Sequence, residues 1–297
     1  MERLAVFGGS GFVGSHIVRE ARLAGSEALK VSSRSGEDVW QADIRDEKQV
    51  ARLISDTQPA AVINAAAISN IDEAEKKPDD AYAVNSTGAA NVAKACAGKG
   101  IPYLFVSTDA VFSGEDPSYS EDSNTAPVNT YGRTKVEAER AVRDTLPDAV
   151  IVRISQVLGY PVGQGASFFT KLEQKLASGD TVSAPTFEYR TPIDVVTLSR
   201  AVIELVTTQK GTIFHLGTLE PASRYEITAR VVEALGYSRE LVEPRTTQPD
   251  DPERAPRHRN GILNVDKATR ALSVPMVSLN ETVTQAVQTR HNWGESK

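Results

Sequence analysis

Tyr131 and Lys135 stand four positions apart in "TYGRTK" (130–135), and no other tyrosine–lysine pair like it occurs in the chain. A tyrosine can deliver a proton to an oxygen that is gaining negative charge, but with a pKa of ~10 it is poorly matched to neutral pH. A nearby ammonium would stabilise the phenolate and lower that value. Residues four apart share a helix face, so the pair can cooperate if 129–143 is helical, and "VEAERAVRD" after Lys135 supports a helix. Ser107 and Thr108 end the apolar run "PYLFVST", where a Thr108 hydroxyl could hold a substrate oxygen beside the Tyr131 phenol. The competing reading is a serine–threonine pair that merely caps the next turn.

Such a proton donor needs a hydride source. Near the chain start "LAVF" runs into "GGSGFVGSH", which holds Gly9-x-Gly11-x-x-Gly14 and also Gly8-x-x-Gly11-x-x-Gly14, with Ser10, Phe12 and Val13 between the glycines. One glycine permits the tight turn, one lets backbone approach a pyrophosphate, and one packs helix on strand. The helix N-terminus adds free N–H groups and positive dipole. The alternative is a glycine-rich turn with no ligand. Further on, "VSSRSGED" sets Ser33 and Arg34 where an acidic residue would bind the ribose 2′-hydroxyl, and Glu37 and Asp38 come later. This favours NADP over NAD, against a solvated Arg34 beside a site of dual specificity.

The surrounding pattern is one of alternating elements. Runs at 4–7, 28–33, 60–67, 102–108 and 149–155 have little polar alternation and read as strands covered on both faces. Helical spacing recurs over 12–24 and over 79–98, where Val84, Val92, Ala93 and Cys96 mark one face. The expected fold class is α/β, a doubly wound parallel (Rossmann) sheet with a smaller C-terminal substrate-binding α/β region. The division expected is an NADP-binding domain at 1–156 and a substrate-binding region at 157–297, part of which can return to the first. In the second part, helices are expected at 167–178, 194–207 and 224–235 and a strand at 211–217. The four prolines of "PRTTQPDDPERAPRHR" (244–259) argue against any regular element there, and the last residues, 291–297, are expected to fray.

Composition removes several function classes. A net charge of −6 over 297 residues argues against nucleic-acid binding through phosphates. Cys96 is alone, so no intrachain disulfide can form, and a reducing compartment is the natural reading. No apolar run approaches the ~20 residues of a membrane span. With no secretory pattern at the start, a cytoplasmic location is expected. His16, His215, His258 and His291 lack metal-ligand spacing, so no metal site is expected, and His258 and His291 are expected to face water.

In order along residues 1–160, "GGSGFVG", "ADIRD", "INAAA", "AVNSTGAANVAKAC", "VSTDAVFSG", "YGRTK" and "VRISQVLG" resemble the extended short-chain dehydrogenases/reductases. Within that family the chain is similar to the dTDP-4-dehydrorhamnose reductases, and the likeness continues through "RTPIDVV" and "GTIFHLGTLEPASRYEITARVVEALG". The resemblance implies a catalytic set of Thr108, Tyr131 and Lys135, with Tyr131 as acid and Lys135 also holding the nicotinamide ribose. It implies Asp43 and Ile44 beside the adenine and Ala65, Ala66 and Ala67 lining the cofactor. Asp109 and Gln156 would face a nucleotide-linked 4-keto sugar, and a homodimer is one assembly the resemblance allows. Ala110 stands where these reductases have tyrosine and Gln156 where they commonly have tryptophan, which removes packing for a deoxysugar. Arg190, Arg254 and Arg257, Arg190 foremost, are candidates to grip the diphosphate. Neighbouring Asp250, Asp251 and Glu253 support a self-paired solvated loop instead. Two other readings stand beside reduction. One is a cofactor-binding regulatory subunit, since "GTIFHLG…SRYE" and "RAPRHRNGILNVDK" also resemble the regulatory β subunit of methionine adenosyltransferase. The other is a sugar-nucleotide epimerase or dehydratase on the same scaffold.

Overall fold

In the computed structural model, residues 2–163, 165–249, 251 and 254–292 are described. The expected fraying of 293–297 and the loop acids Asp250 and Glu253 lie outside them. Six strands come from the first half: β1 (Arg3–Phe7), β2 (Glu27–Ser32), β3 (Val39–Gln41), β4 (Ala61–Asn64), β5 (Tyr103–Thr108) and β6 (Val150–Ile154). With the later strand Ile213–Leu216 they make a seven-stranded sheet, in the order Ile213–Leu216, β6, β5, β4, β1, β2, β3. Every neighbouring pair is parallel.

Strand residues alternate between two cores. Leu4 and Val6 pack with Ile17 and Val18 of α1 (Phe12–Leu23) and with Leu198 and Val202 of the helix Val195–Thr208. Ala5 and Phe7 pack with Val50 of α2 (Glu47–Thr57), and Val92 and Val142 of later helices join the same core. Each such side chain fully buried stabilises the fold by about 1.5–3 kcal/mol relative to exposure. The doubly wound parallel sheet is therefore present, with residues from beyond 157 supplying both its last strand and one covering helix.

Three expected elements differ. The strand read over 60–67 stops at Asn64, because the Asn64 carboxamide accepts from Ala66 N at 3.0 Å and turns the chain out of the sheet. The single helix read over 79–98 is broken. After α3 (Ile71–Lys76) and α4 (Pro78–Tyr82), residues Ala83–Thr87 form a π turn before α5 (Gly88–Ala97). In that turn Asn85 is buried and pairs with both backbone groups of Ile68, at 2.8 and 3.1 Å, and with Thr134 at 3.0 Å. Such π turns are rare and cluster at functional sites. Finally, Val242–Arg245, partly inside the proline-rich stretch, forms a short strand parallel to Val182–Pro185. Pro244 fits because an edge strand tolerates a missing donor.

The smaller region brings distant residues to one place. Tyr189–Arg190 pairs with Ala222–Ser223 on one side and with Asn260–Gly261 on the other. This sets Arg190, Arg224 and His258 over the C-terminal ends of β5 and β6. Among the described residues no helix is long and apolar enough to cross a membrane, and no group of side chains could hold a metal ion.

Candidate active site

The strand order reverses at β1, which has β2 on one side and β4 on the other, so the loops leaving β1 and β4 diverge and open a cleft. Gly8 has φ of +76°, and a Cβ there would lie 2.6 Å from Ala66 N. A Cβ on Gly14 would stand 2.1 Å from Gly8 O, so only glycine lets α1 start this close to the turn. The N-cap of α1 is Gly11, which offers no side-chain cap, and no acid occupies the first turn. Its N–H groups are thus free for an anion. The cavity of about 440 Å³ at this cleft is lined by Gly8, Ser10 and Gly11 and by Ala65, Ala66 and Ala67. Its far end is lined by Ser33, Arg34, Asp43 and Ile44. Gly9, Phe12, Val13 and Gly14 shape the turn and do not line the cavity. Gly9 N bonds Val31 O, Phe12 packs edge-on to His16, and Val13 faces the core.

This cleft fits a nicotinamide dinucleotide: small residues line its floor, and a free helix terminus meets the diphosphate position. Ser32, beside Ser33 in "VSSRSGED", also lines it, as do Arg45 and Asp80, which were not singled out from the sequence. Asp43 is tied to Arg45 at 2.6 Å, which holds its carboxyl below the usual range. Of the two acids that follow Arg34, Asp38 is bound to Arg22 at 2.6 Å.

Helix α6 (Thr130–Thr145) carries the proton-transfer pair. Asn129 caps it by accepting from Gly132 N at 2.8 Å. Gly132 then lies against the segment after β5, where a Cβ would be 2.2 Å from Ala110 O and 2.8 Å from Pro127 Cβ. This contact brings Tyr131 to the same cavity wall as Thr108. Burial raises the Tyr131 phenol to about 12; the Thr108 hydroxyl opposes that rise and the Asp109 charge adds to it. A phenol at that level is protonated at neutral pH, the form an acid needs.

Lys135 departs from the expectation that it would draw the phenol pKa down. No hydrogen bond joins it to Tyr131. Its Nζ donates to Val106 O at 2.7 Å and lies 3.8 Å from the centre of the Phe105 ring. Burial lowers the amine to about 7, opposed by Glu139 one turn further on. Glu139 is itself held by Arg153 at 2.7 and 3.0 Å and by Ser107 at 2.5 Å. Ser107 is therefore a supporting residue turned away from Tyr131's side of the strand.

A second cavity, about 280 Å³, adjoins Tyr131 and Thr108 and is also lined by Asp109, Gln156 and His258. Asp109 is its hub. Ser155 donates to it at 2.8 Å, Thr108 at 3.1 Å, and Arg190 and His258 lie 3.3 and 3.2 Å away. Although burial opposes it, these partners hold the carboxyl down at about 2, so Asp109 is ionised.

The arginines are sorted differently from the expectation. Arg190 reaches the cavity but its guanidinium is committed, to Asp109 and to the carbonyls of Tyr189, His258 and Arg259. Arg254 does not line the cavity and contacts Gln248 and Glu188. Arg257 lines it while pairing with Asp72 at 2.8 Å, and Arg224, unnoticed in the sequence, lines it while pairing with Glu188 at 3.0 Å. Glu188 is fully buried among Arg190, Arg224 and Arg254, which hold its carboxyl below the usual range despite that burial. His258, expected to face water, is buried in the cavity wall, whereas His291 is exposed.

Gly132 gives a direct test of how the site is held. Gly132→Ala is expected to destabilise the protein by about 1–3 kcal/mol through overpacking and to lower turnover by moving Tyr131 from Thr108. Thermal melts and steady-state rates check it; an unchanged melting temperature would remove the Ala110 contact from the account.

Comparisons with known proteins agree with this fold. The dTDP-4-dehydrorhamnose reductase of Mycolicibacterium smegmatis is 33% identical over 291 residues, covering 96% of this chain and 85% of that protein. Methionine adenosyltransferase 2 subunit beta of Rattus norvegicus is 28% identical, covering 83% of this chain and 76% of that protein. The crystal structure of dTDP-4-dehydrorhamnose reductase from Bacillus anthracis in complex with NADP superposes with a TM-score of 0.86 at 25% identity, covering 96% of this chain and 98% of that one. The family model described as the RmlD substrate binding domain matches residues 1–292, and the chain belongs to that family.

Proposed function

We propose that this protein is an NADPH-dependent reductase of a nucleotide-linked 4-keto sugar. The observation that carries the reading is the Thr108–Tyr131 pair in the wall of a cavity that Arg224 and Arg257 also line, in a chain whose first glycine turn opens a separate cleft suited to a dinucleotide. A bound reduced nicotinamide supplies a hydride to the carbonyl carbon. Tyr131 gives its phenolic proton to the carbonyl oxygen, and Thr108 holds that oxygen in line. Lys135, released from Val106 O, holds the ribose hydroxyls and supports the phenolate that forms. Arg224 and Arg257 bind the substrate diphosphate, each already oriented by a carboxylate behind it. The relatives named dTDP-4-dehydrorhamnose reductase support this substrate class. The test is NADPH oxidation with a panel of dTDP- and UDP-linked 4-keto sugars; no oxidation with any of them would defeat the reading.

The preference for NADP rests on Arg34 and on the removal of Asp38 to Arg22. Arg34→Ala is expected to raise the KM for NADPH by about tenfold or more, the worth of a charged hydrogen bond, and to leave that for NADH nearly unchanged. Steady-state kinetics with both cofactors check it, and equal changes in the two values would remove Arg34 from the assignment.

A further inference from the structure

His258 is 3% exposed and forms part of the wall of the cavity that holds Tyr131 and Thr108. Two glycines shape its seat. A Cβ on Gly114 would come within 2.7 Å of His258 Cβ, and one on Gly261 would stand 2.8 Å from its Nε2 and 2.2 Å from Asp109 Oδ2. The ring is thus turned so that Nε2 lies 3.2 Å from the Asp109 carboxylate, close to it though not aligned as a hydrogen bond.

That contact fixes what the other nitrogen can do. An ionised carboxylate only accepts, so Nε2 carries the ring proton, and in the neutral ring Nδ1 presents a lone pair. Nδ1 is buried and has no protein partner. On the same cavity wall the Gln156 Oε1 is also buried without a partner. Native proteins satisfy nearly all buried acceptors, so two unpartnered ones carried by residues of one cavity wall call for donors, which what binds there can bring. Beside them Ala110 leaves room and offers no apolar ring. A methyl group brings no donor; a hydroxyl or amino group does.

We propose that His258 Nδ1 and Gln156 Oε1 read a hydrogen-bond-donating substituent on the sugar ring, so that the protein selects hydroxylated or amino ketosugars over the matching deoxy sugars. This rests on the nucleotide-ketosugar reading above and narrows it. His258 and Gln156 are specificity residues here, whereas Tyr131 does the chemistry.

The experiment compares pairs of nucleotide-linked 4-keto sugars that differ by hydroxyl against hydrogen at one ring carbon or at C6. For at least one pair, kcat/KM is expected to favour the hydroxylated member by about tenfold or more. His258→Leu and Gln156→Leu should each shrink that ratio to under about threefold, because the hydroxylated member loses more than its deoxy partner. His258→Asn, which keeps an acceptor, should recover part of it. A wild-type preference for deoxy members throughout, or variants that lower both members of every pair alike, would overturn the proposal. If His258→Leu melts early, Gln156→Leu decides alone. A calorimetric arm uses the 4-hydroxy nucleotide sugars and their deoxy analogues, which need no turnover. Discrimination in binding without any NADPH oxidation would defeat the reductase reading and keep this one. Turnover without discrimination would do the reverse.

Discussion

Tyr131→Phe is expected to lower turnover by about 10²–10⁴-fold, the usual worth of a general acid. The substitution removes one oxygen and little volume, and the half-buried ring keeps its place on α6. Cofactor binding should therefore change little, which fluorescence titration with NADPH can measure beside the rate. Loss of both together would mean that the ring, and not its hydroxyl, is what the site needs. Comparable turnover in the variant would defeat the proton assignment outright. Thr108 sharpens the test, since it shares the cavity wall with the phenol and donates to Asp109 at 3.1 Å. Thr108→Val should weaken turnover less than the loss of Tyr131, because orientation is lost while the proton remains.

Lys135→Met should separate stability from activity. Burial lowers the Lys135 amine from its ordinary 10.5 to about 7. Between those values the unfolded chain holds a proton that the folded chain has released, so the wild-type stability contributed by this group rises as pH rises from about 7 to about 10.5. Below about 7 both states are charged and the full burial penalty applies. Methionine has no charge to bury, so the apo variant should be more stable than wild type at pH 6 by an amount on the order of a few kcal/mol. Loss of the bond to Val106 O offsets about 1 kcal/mol of that gain. Urea unfolding of the apo protein from pH 6 to 10 reads the difference; parallel curves for the two proteins would show that Lys135 is not charged by folding-linked protonation. Turnover should fall steeply in the same variant, since nothing remains to hold the ribose or the phenolate. The position then trades stability for function, as active-site charges commonly do.

Much of this site could be read from local spacing. The glycines after β1 announce a strand–turn–helix unit because Gly11 and Gly14 meet the Gly8 backbone only a few residues away. Tyr131 and Lys135 share a face because helical period is local too. What the sequence hid depends on contacts between distant segments. Asn85 sits in a π turn, and a one-residue insertion into a helix leaves the apolar period of 79–98 nearly intact. Arg190 was read by its charge, but its partners lie on 109, 258 and 259, and they consume its donors. His258 looked exposed inside a proline-rich stretch; only the pairing of Asn260–Gly261 with Tyr189–Arg190 carries it to Asp109. Arg224 opens a helix inside the "SRYE" stretch that carries a family resemblance, but nothing there marks its side chain as a cavity residue.

The Asn85 clamp also bears on how freely this scaffold can be re-engineered. One side chain ties the loop under the cofactor, at Ile68, to Thr134 on the helix that carries the proton donor. The floor and the acid are therefore a single mechanical part. Substitutions meant to widen the floor for another dinucleotide will be transmitted to Tyr131, and grafts that change α6 will tilt the floor. A library that varies one while freezing the other should be rich in folded, inactive clones, and productive variants should be found where Asn85 and both of its anchor points are kept together.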